Sequence, residues 1–108
     1  MPKLKGKKQW QESEIVVLCA IFCSVGFSAG DDEKPECKAI AREFGRSPGT
    51  VDRQWRNIKD YLAGYDVPKV GNLIKLYSDH ALNNPSIIKS LAQYYCKLNN
   101  WSLLHLIN

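Results

Sequence analysis

Residues 40–57 read IAREFGRSPGTVDRQWRN, and this stretch carries the strongest signals for helix ends and helix starts in the chain. Gly45 is typical of a residue just past a helix end, because glycine tolerates positive φ. Ser47 and Pro48 predict the start of a new helix, since a serine oxygen caps free N–H groups and proline suits the first helical position. Two helices joined by a short turn that contains glycine predict a helix-turn-helix.

The helix predicted over residues 47–62 has two different sides. Its apolar side holds four residues at helical spacing, which we expect to face a core: Val51, Trp55, Ile58 and Leu62. The opposite side is polar, with Arg53 and Asp60 at its centre and Arg56, Asn57 and Thr50 beside them. Arginine is the commonest reader of guanine, asparagine suits adenine, and threonine can contact a thymine methyl. A polar face of this kind is also what any solvated helix shows.

The charge of this region favours nucleic acid. Between residues 38 and 59, cations outnumber Glu43 and Asp52. The cations are Lys38, Arg42, Arg46, Arg53, Arg56 and Lys59. We expect Arg42 and Arg46 to hold phosphates from the preceding helix and the turn, because phosphate contacts position a protein on the duplex.

The same run resembles a known group of proteins. IAREFGRSPGTVDRQWRN looks like the second and third helices of Myb/SANT and homeodomain-like domains, and WQESE at residues 10–14 looks like the start of their first helix. The run is also similar to the small helical domain that precedes some HNH endonucleases, with FGRSPGTV in the place of an LGRTP-x-SV motif. The resemblance covers residues 10–62 and implies a trihelical DNA-binding unit.

The resemblance also implies which side chains touch DNA. Myb-type base contacts fall on Asp52 and Arg53, although Asp52 stands where lysine is usual, and Pro48 and Gly49 replace a polar pair. An aspartate there accepts from a cytosine amino group or marks a different partner. The contact set expected on the recognition helix is Ser47, Thr50, Asp52, Arg53, Arg56 and Asn57.

Residues 1–9, MPKLKGKKQ, form a basic segment with no acid. Its cations are Lys3, Lys5, Lys7 and Lys8. A segment of this composition cannot bury enough apolar surface to fold alone. It is therefore a flexible arm that contacts phosphates, as the segment before the first homeodomain helix does, or else a solvated tail.

The remaining helices are predicted from stop and start signals. The first covers residues 11–25, with Gln11 as its N-cap. Asp31 or Asp32 is expected to cap the second, with Pro35 in its first turn. The fourth opens at Gly71 and Asn72, and its apolar side is assigned to Leu73, Leu76, Tyr77 and His80.

Asn84 and Pro85 are expected to open the fifth helix. Its wide apolar stripe is expected to be buried: Ile87, Ile88, Leu91, Ala92, Tyr95 and Cys96. Residues 101–107 are expected to fold back as a short helix, and their apolar character suggests the front piece of a longer protein.

The four cysteines lie on predicted apolar stripes: Cys19, Cys23, Cys37 and Cys96. With no CxxC knuckle, they predict buried thiols rather than a zinc site. His80 and His105 have no partner at catalytic spacing. We expect no metal, no cofactor and no enzymatic activity.

The composition limits the class of protein. The chain has 108 residues, 44% hydrophobic and 24% charged, with a net charge of +4, as expected of one globular domain. It has no apolar run near the ~20 residues of a membrane helix and no signal-peptide pattern. We expect a protein that is not secreted, without a membrane partner, cytoplasmic and nucleoid-associated or else nuclear.

The sequence therefore predicts an all-α fold. A trihelical helix-turn-helix core over residues 10–62 is extended by two or three C-terminal helices over residues 63–108, which pack on the same domain or form a homodimer surface. The expected function is double-stranded DNA binding, as a regulator or as the DNA-targeting module of a larger nuclease-type protein. The alternative is a SANT-like protein-interaction module or a small phage-type inhibitor of a nucleic-acid enzyme. Affinity for DNA should fall steeply as the salt concentration rises, whereas affinity for a protein partner need not.

Overall fold

The computed structural model describes residues 9–26, 34–67 and 70–107, and over these ranges all the regular secondary structure is helical. The helices are α1 (Glu12–Val25), α2 (Pro35–Phe44), α3 (Pro48–Leu62), α4 (Asn72–Asn83), α5 (Pro85–Asn99) and a 3-10 turn at Leu104–Leu106. The predicted all-α class is confirmed for this part of the chain.

The helix starts and stops follow local chemistry. The Oγ of Ser47 accepts the Thr50 N–H at 3.2 Å, which caps α3. Gly45 ends α2 with φ of 70°, in the left-handed region that glycine enters without steric cost. The backbone N–H of Gln11 donates to the Glu14 carboxylate at 2.9 Å and so helps to cap α1. These boundaries were all predicted from sequence.

The N-cap of α2 differs from the prediction. The cap residue is Lys34, with Pro35 at the first helical position. Asp31 and Asp32, which were expected to cap this helix, lie outside the described residues. Proline at the first position explains the start, because its fixed φ is already helical and its missing N–H needs no acceptor there.

The centre of the molecule is α1. All of residues 14–21 are buried, on every side of the helix. A helix that is buried all round must lie between other elements, and α1 packs most extensively against α5, then against α4, and less against α3. The C-terminal helices thus supply much of the wall around α1, and buried residues of all five helices form one hydrophobic cluster.

The buried side of α4 differs from its predicted apolar side. The buried residues are Ile74, Ser78 and Ala81, whereas Leu76 and His80 are exposed. Two of the three buried side chains, Ser78 and Ala81, are small. The Ser78 Oγ lies 3.9 Å from the Cys19 Sγ. Spacing alone does not distinguish a small-residue side from a leucine side.

The stripe predicted on α5 is buried only in part. Ile88, Ala92 and Cys96 are buried, as expected. Ile87 is 66% exposed, so its predicted burial is wrong. Ile87 and Ile88 point about 100° apart on a helix, and the core accepts only the second.

The chain after α5 folds back onto α2. Leu103 and Ile107 are buried, and the Trp101 ring lies 4.6 Å from that of Phe44. The Ser102 N–H donates to Glu43 at 3.1 Å. The predicted short helix is present as the 3-10 turn, in which the Leu106 N–H donates to the Leu103 carbonyl at 3.0 Å.

Candidate nucleic-acid interface

The turn that leads into α3 is fixed by Arg46. Its Nε and Nη2 donate to the two carboxylate oxygens of Glu14, at 3.0 and 2.9 Å. Its Nη2 also donates to the Gln9 carbonyl at 2.9 Å, and its guanidinium carbon lies 4.3 Å from the centre of the Trp10 ring. A two-pronged arginine–carboxylate pair with an aromatic face is among the strongest polar arrangements in proteins.

These contacts give Arg46 a structural role. The Arg46 and Glu14 side chains are only 4% and 8% exposed. Glu14 lies in the first turn of α1 and accepts the Gln11 N–H there. Its pair with Arg46 therefore joins the turn before α3 to the start of α1. We therefore assign Arg46 to the architecture of the site, in place of the phosphate contact predicted from sequence.

Asp52 also lies inside rather than on the polar face. It is 6% exposed, and its Oδ2 accepts the Nε–H of Arg56 at 3.0 Å. The Arg56 side chain remains 56% exposed. Asp52 is thus placed to orient Arg56, one turn further along the helix, and not to accept from a base as the sequence suggested.

The outward face of α3 is basic. Arg53, Arg56 and Lys59 are exposed along it, and Lys38 and Arg42 are exposed on α2. The four acids of α2 and α3, by contrast, are buried or half-buried: Glu36, Glu43, Asp52 and Asp60. Over these two helices every cation reaches solvent and no acid is fully exposed, so a polyanion meets mostly positive charge.

One edge of α3 borders the start of α1 and α4. The Asn57 side-chain amide donates to the Gln54 carbonyl oxygen at 2.9 Å. Both residues line a groove of about 360 Å³ that continues to Trp10 and the start of α4. Further along, the Tyr61 hydroxyl donates to Asp79 of α4 at 2.9 Å, and this hydrogen bond raises the Tyr61 pKa. The predicted contact Asn57 therefore lies at the margin of the exposed face.

The other predicted contacts are divided between the surface and the cap. Thr50 is half-buried, and its Oγ1 lies 2.8 Å from the Oγ of Ser47, so both hydroxyls belong to the N-terminal cap of α3. Lys3, Lys5, Lys7 and Lys8 lie outside the described residues. The predicted contact set omitted Lys38 and Lys59, although helical spacing places both away from the core.

The thiols agree with the sequence prediction at three of four positions. Cys19, Cys37 and Cys96 are buried, but Cys23 is exposed, so its predicted burial is wrong. Burial raises the pKa of Cys19 to about 12 and that of Cys96 to about 11. Within residues 9–26, 34–67 and 70–107, no three His, Cys, Asp or Glu side chains are grouped to hold a metal ion.

Comparison with protein-family models finds no matching family, and comparison with curated proteins and with solved structures finds no matching chain. None of the described helices has both the length and the apolar character needed to cross a membrane.

Proposed function

We propose that this chain binds double-stranded DNA, with α2 and α3 acting as a helix-turn-helix and α3 entering the major groove. The observation that carries the proposal is the separation of charge on these two helices. Their five cations are exposed, and their four acids are withdrawn from full exposure. Such a surface favours the phosphate backbone, which supplies most of the affinity in protein–DNA binding.

The side chains divide into three roles. Arg53 and Arg56 point outward from the middle of α3 and would reach base edges, where arginine pairs with guanine. Lys38, Arg42 and Lys59 would contact phosphates on either side. Arg46 and Asp52 act indirectly, since Arg46 fixes the start of α3 and Asp52 orients Arg56.

The sequence resemblance to Myb/SANT and homeodomain-like domains supports the same function. In that group the third helix enters the groove, and its counterpart here carries Arg53 and Arg56. We infer that the domain serves as a regulator or as the DNA-targeting part of a larger nuclease-type protein.

The test is duplex binding as a function of salt. Fluorescence polarisation on labelled duplexes of random sequence should show binding at low salt. The exposed cations of α2 and α3 alone should give a slope of log affinity against log salt of about −3 to −5, since each phosphate contact contributes ~0.9. Absence of binding at low salt contradicts the proposal, and binding with a flat salt dependence indicates a different kind of contact.

The N-terminal lysines offer a separate prediction. Deletion of residues 2–8 should weaken binding to all duplexes alike. If two to four of Lys3, Lys5, Lys7 and Lys8 contact phosphates, the salt slope should fall by roughly 2–4. An unchanged slope would show that residues 1–9 are a solvated tail, while leaving the role of α3 intact.

A further inference from the structure

The outward side of α5 carries an apolar stripe that nothing in the described residues covers. It consists of Ile87, Leu91, Tyr94 and Leu98, which we call the α5 stripe. Ile87, Tyr94 and Leu98 are 66%, 56% and 62% exposed, and Leu91 is half-buried. At 3.6 residues per turn, the four side chains leave the helix within an arc of about 60°.

This stripe is the second apolar side of α5. The first side holds Ile88, Ala92 and Cys96, which are buried in the core. A helix at a protein surface ordinarily needs one apolar side, with polar residues opposite. A second one keeps several large side chains in water, and such patches mark interaction surfaces.

The spacing within the stripe indicates what covers it. The four positions are separated by four, three and four residues, which is the repeat of a helix-pairing seam. This 4-3-4 spacing reads the same in both directions. In an antiparallel pair of α5 helices, Ile87 therefore lies opposite Leu98 of the second copy, and Leu91 opposite Tyr94. A two-fold contact requires this self-complementarity.

The charges beside the stripe also suit a second copy. Helix α5 contains no aspartate or glutamate. The exposed residues bordering the stripe are Ser86, Ser90, Gln93 and Lys97. In the antiparallel pair Lys97 lies beside Ser90 of the second copy, so like charges do not meet. A membrane-surface helix would instead carry many cations on its polar face, whereas α5 has only Lys89 and Lys97.

We propose that two copies of this chain associate through the α5 stripe, with their α5 helices antiparallel. The surface is separate from the basic face of α3, so the pair does not depend on DNA. The seam is about 16 Å long at 1.5 Å per residue. Four side chains per partner are far fewer than the roughly 20–30 residues a side of a standard stable interface, so we expect the association to be reversible and to depend on concentration.

Sedimentation of the DNA-free protein from micromolar to millimolar concentration tests this proposal. The mass should rise from monomer towards dimer. Leu98→Asp should weaken self-association at least tenfold, because it places a charge in the seam. The matched control is Leu76→Asp, which changes an exposed leucine on α4 outside the stripe and should leave association unchanged. Circular dichroism melting should show both variants folded.

The register has its own test at Ser90. Ser90→Glu should strengthen association about two- to fivefold by pairing with Lys97 of the second copy, and Ser90→Lys should weaken it similarly. A parallel pair would separate these positions and give no such sign dependence. A chain that stays monomeric throughout overturns the proposal. So does equal disruption by Leu76→Asp, or binding to phosphatidylserine vesicles without self-association.

Discussion

Helices α3 and α5 are built alike but present different surfaces. Each is 15 residues long, starts with proline and buries one apolar side. The exposed side of α3 offers Arg53 and Arg56, whereas that of α5 offers Ile87 and Leu98. The same helical frame therefore suits a polyanion at one place and an apolar surface at the other.

The comparison separates what holds the fold from what faces partners. The inner sides of both helices stabilise the fold in the same way, because apolar burial is non-directional and depends on the area buried. The outer sides are specific, because charge and shape select what can bind. Changes to the inner sides should thus alter stability, and changes to the outer sides should alter binding alone.

The largest effects are expected on the inner sides. Trp55→Ala should lower the free energy of unfolding by ~3–5 kcal/mol, and Ile88→Ala by ~2–5 kcal/mol, since both side chains are almost fully buried and each change leaves a cavity. Chemical denaturation measures both. A loss below about 1 kcal/mol at either position would show that its helix face has been misplaced.

Breaking the anchor of α3 should have the next largest effect. Arg46→Met leaves the Glu14 carboxylate buried without its arginine and should cost ~3–5 kcal/mol. The double variant Glu14→Gln with Arg46→Met should recover much of that loss, because no unpaired charge remains buried.

The control for this experiment is the outer ion pair. Arg56→Met removes one partner of Asp52, whose side chain is as little exposed as that of Glu14, but the arginine itself is 56% exposed. Solvent screens a pair with one exposed member, so the loss should be clearly smaller than that of Arg46→Met. Equal losses for Arg46→Met and Arg56→Met would contradict the assignment of Arg46 to the fold and of Arg56 to the surface.

The sequence predicted the frame of the molecule but not its centre. Ser47, Pro48 and Gly45 set helix boundaries through local hydrogen bonds and φ preferences, which a single sequence reveals. That α1 is enclosed by α4 and α5 depends on contacts between distant residues, such as Cys19 with Ser78. Periodicity along one helix carries no information about them.

The candidate site was predictable to a similar extent. The outward direction of Arg53 and Arg56 follows from helical spacing. The burial of Arg46 and Asp52 does not follow from spacing. Arg46 is buried because it pairs with the Glu14 carboxylate, which lies 32 residues away in the sequence. Asp52 is buried beside the core and pairs with Arg56 on its own helix. The exposure of Ile87 likewise depends on which of two adjacent isoleucines the core accepts.

The smallest effect on stability is expected for the exposed thiol. Cys23 is exposed on α1. Partial burial raises its pKa, and the positive charge of Lys89 on α5 offsets part of that rise. A thiol reagent at neutral pH should label Cys23 first, without unfolding. Cys19 and Cys96 should react only when the protein unfolds, because burial raises both pKa values. Uniform labelling of all thiols would contradict the packing of α1 on α5.

The most direct test of the DNA-binding proposal compares two charge-matched variants on the same duplex. Arg53→Ala with Arg56→Ala removes two cations from α3, and Lys89→Ala with Lys97→Ala removes two from α5. With both proteins folded by circular dichroism, the α3 variant should weaken duplex binding at least tenfold, because each arginine that reads a base contributes ~1–3 kcal/mol. The α5 variant should bind the duplex as the wild type does. Equal losses of affinity for the two variants, or a larger loss for the α5 variant, would contradict the assignment of DNA binding to α3.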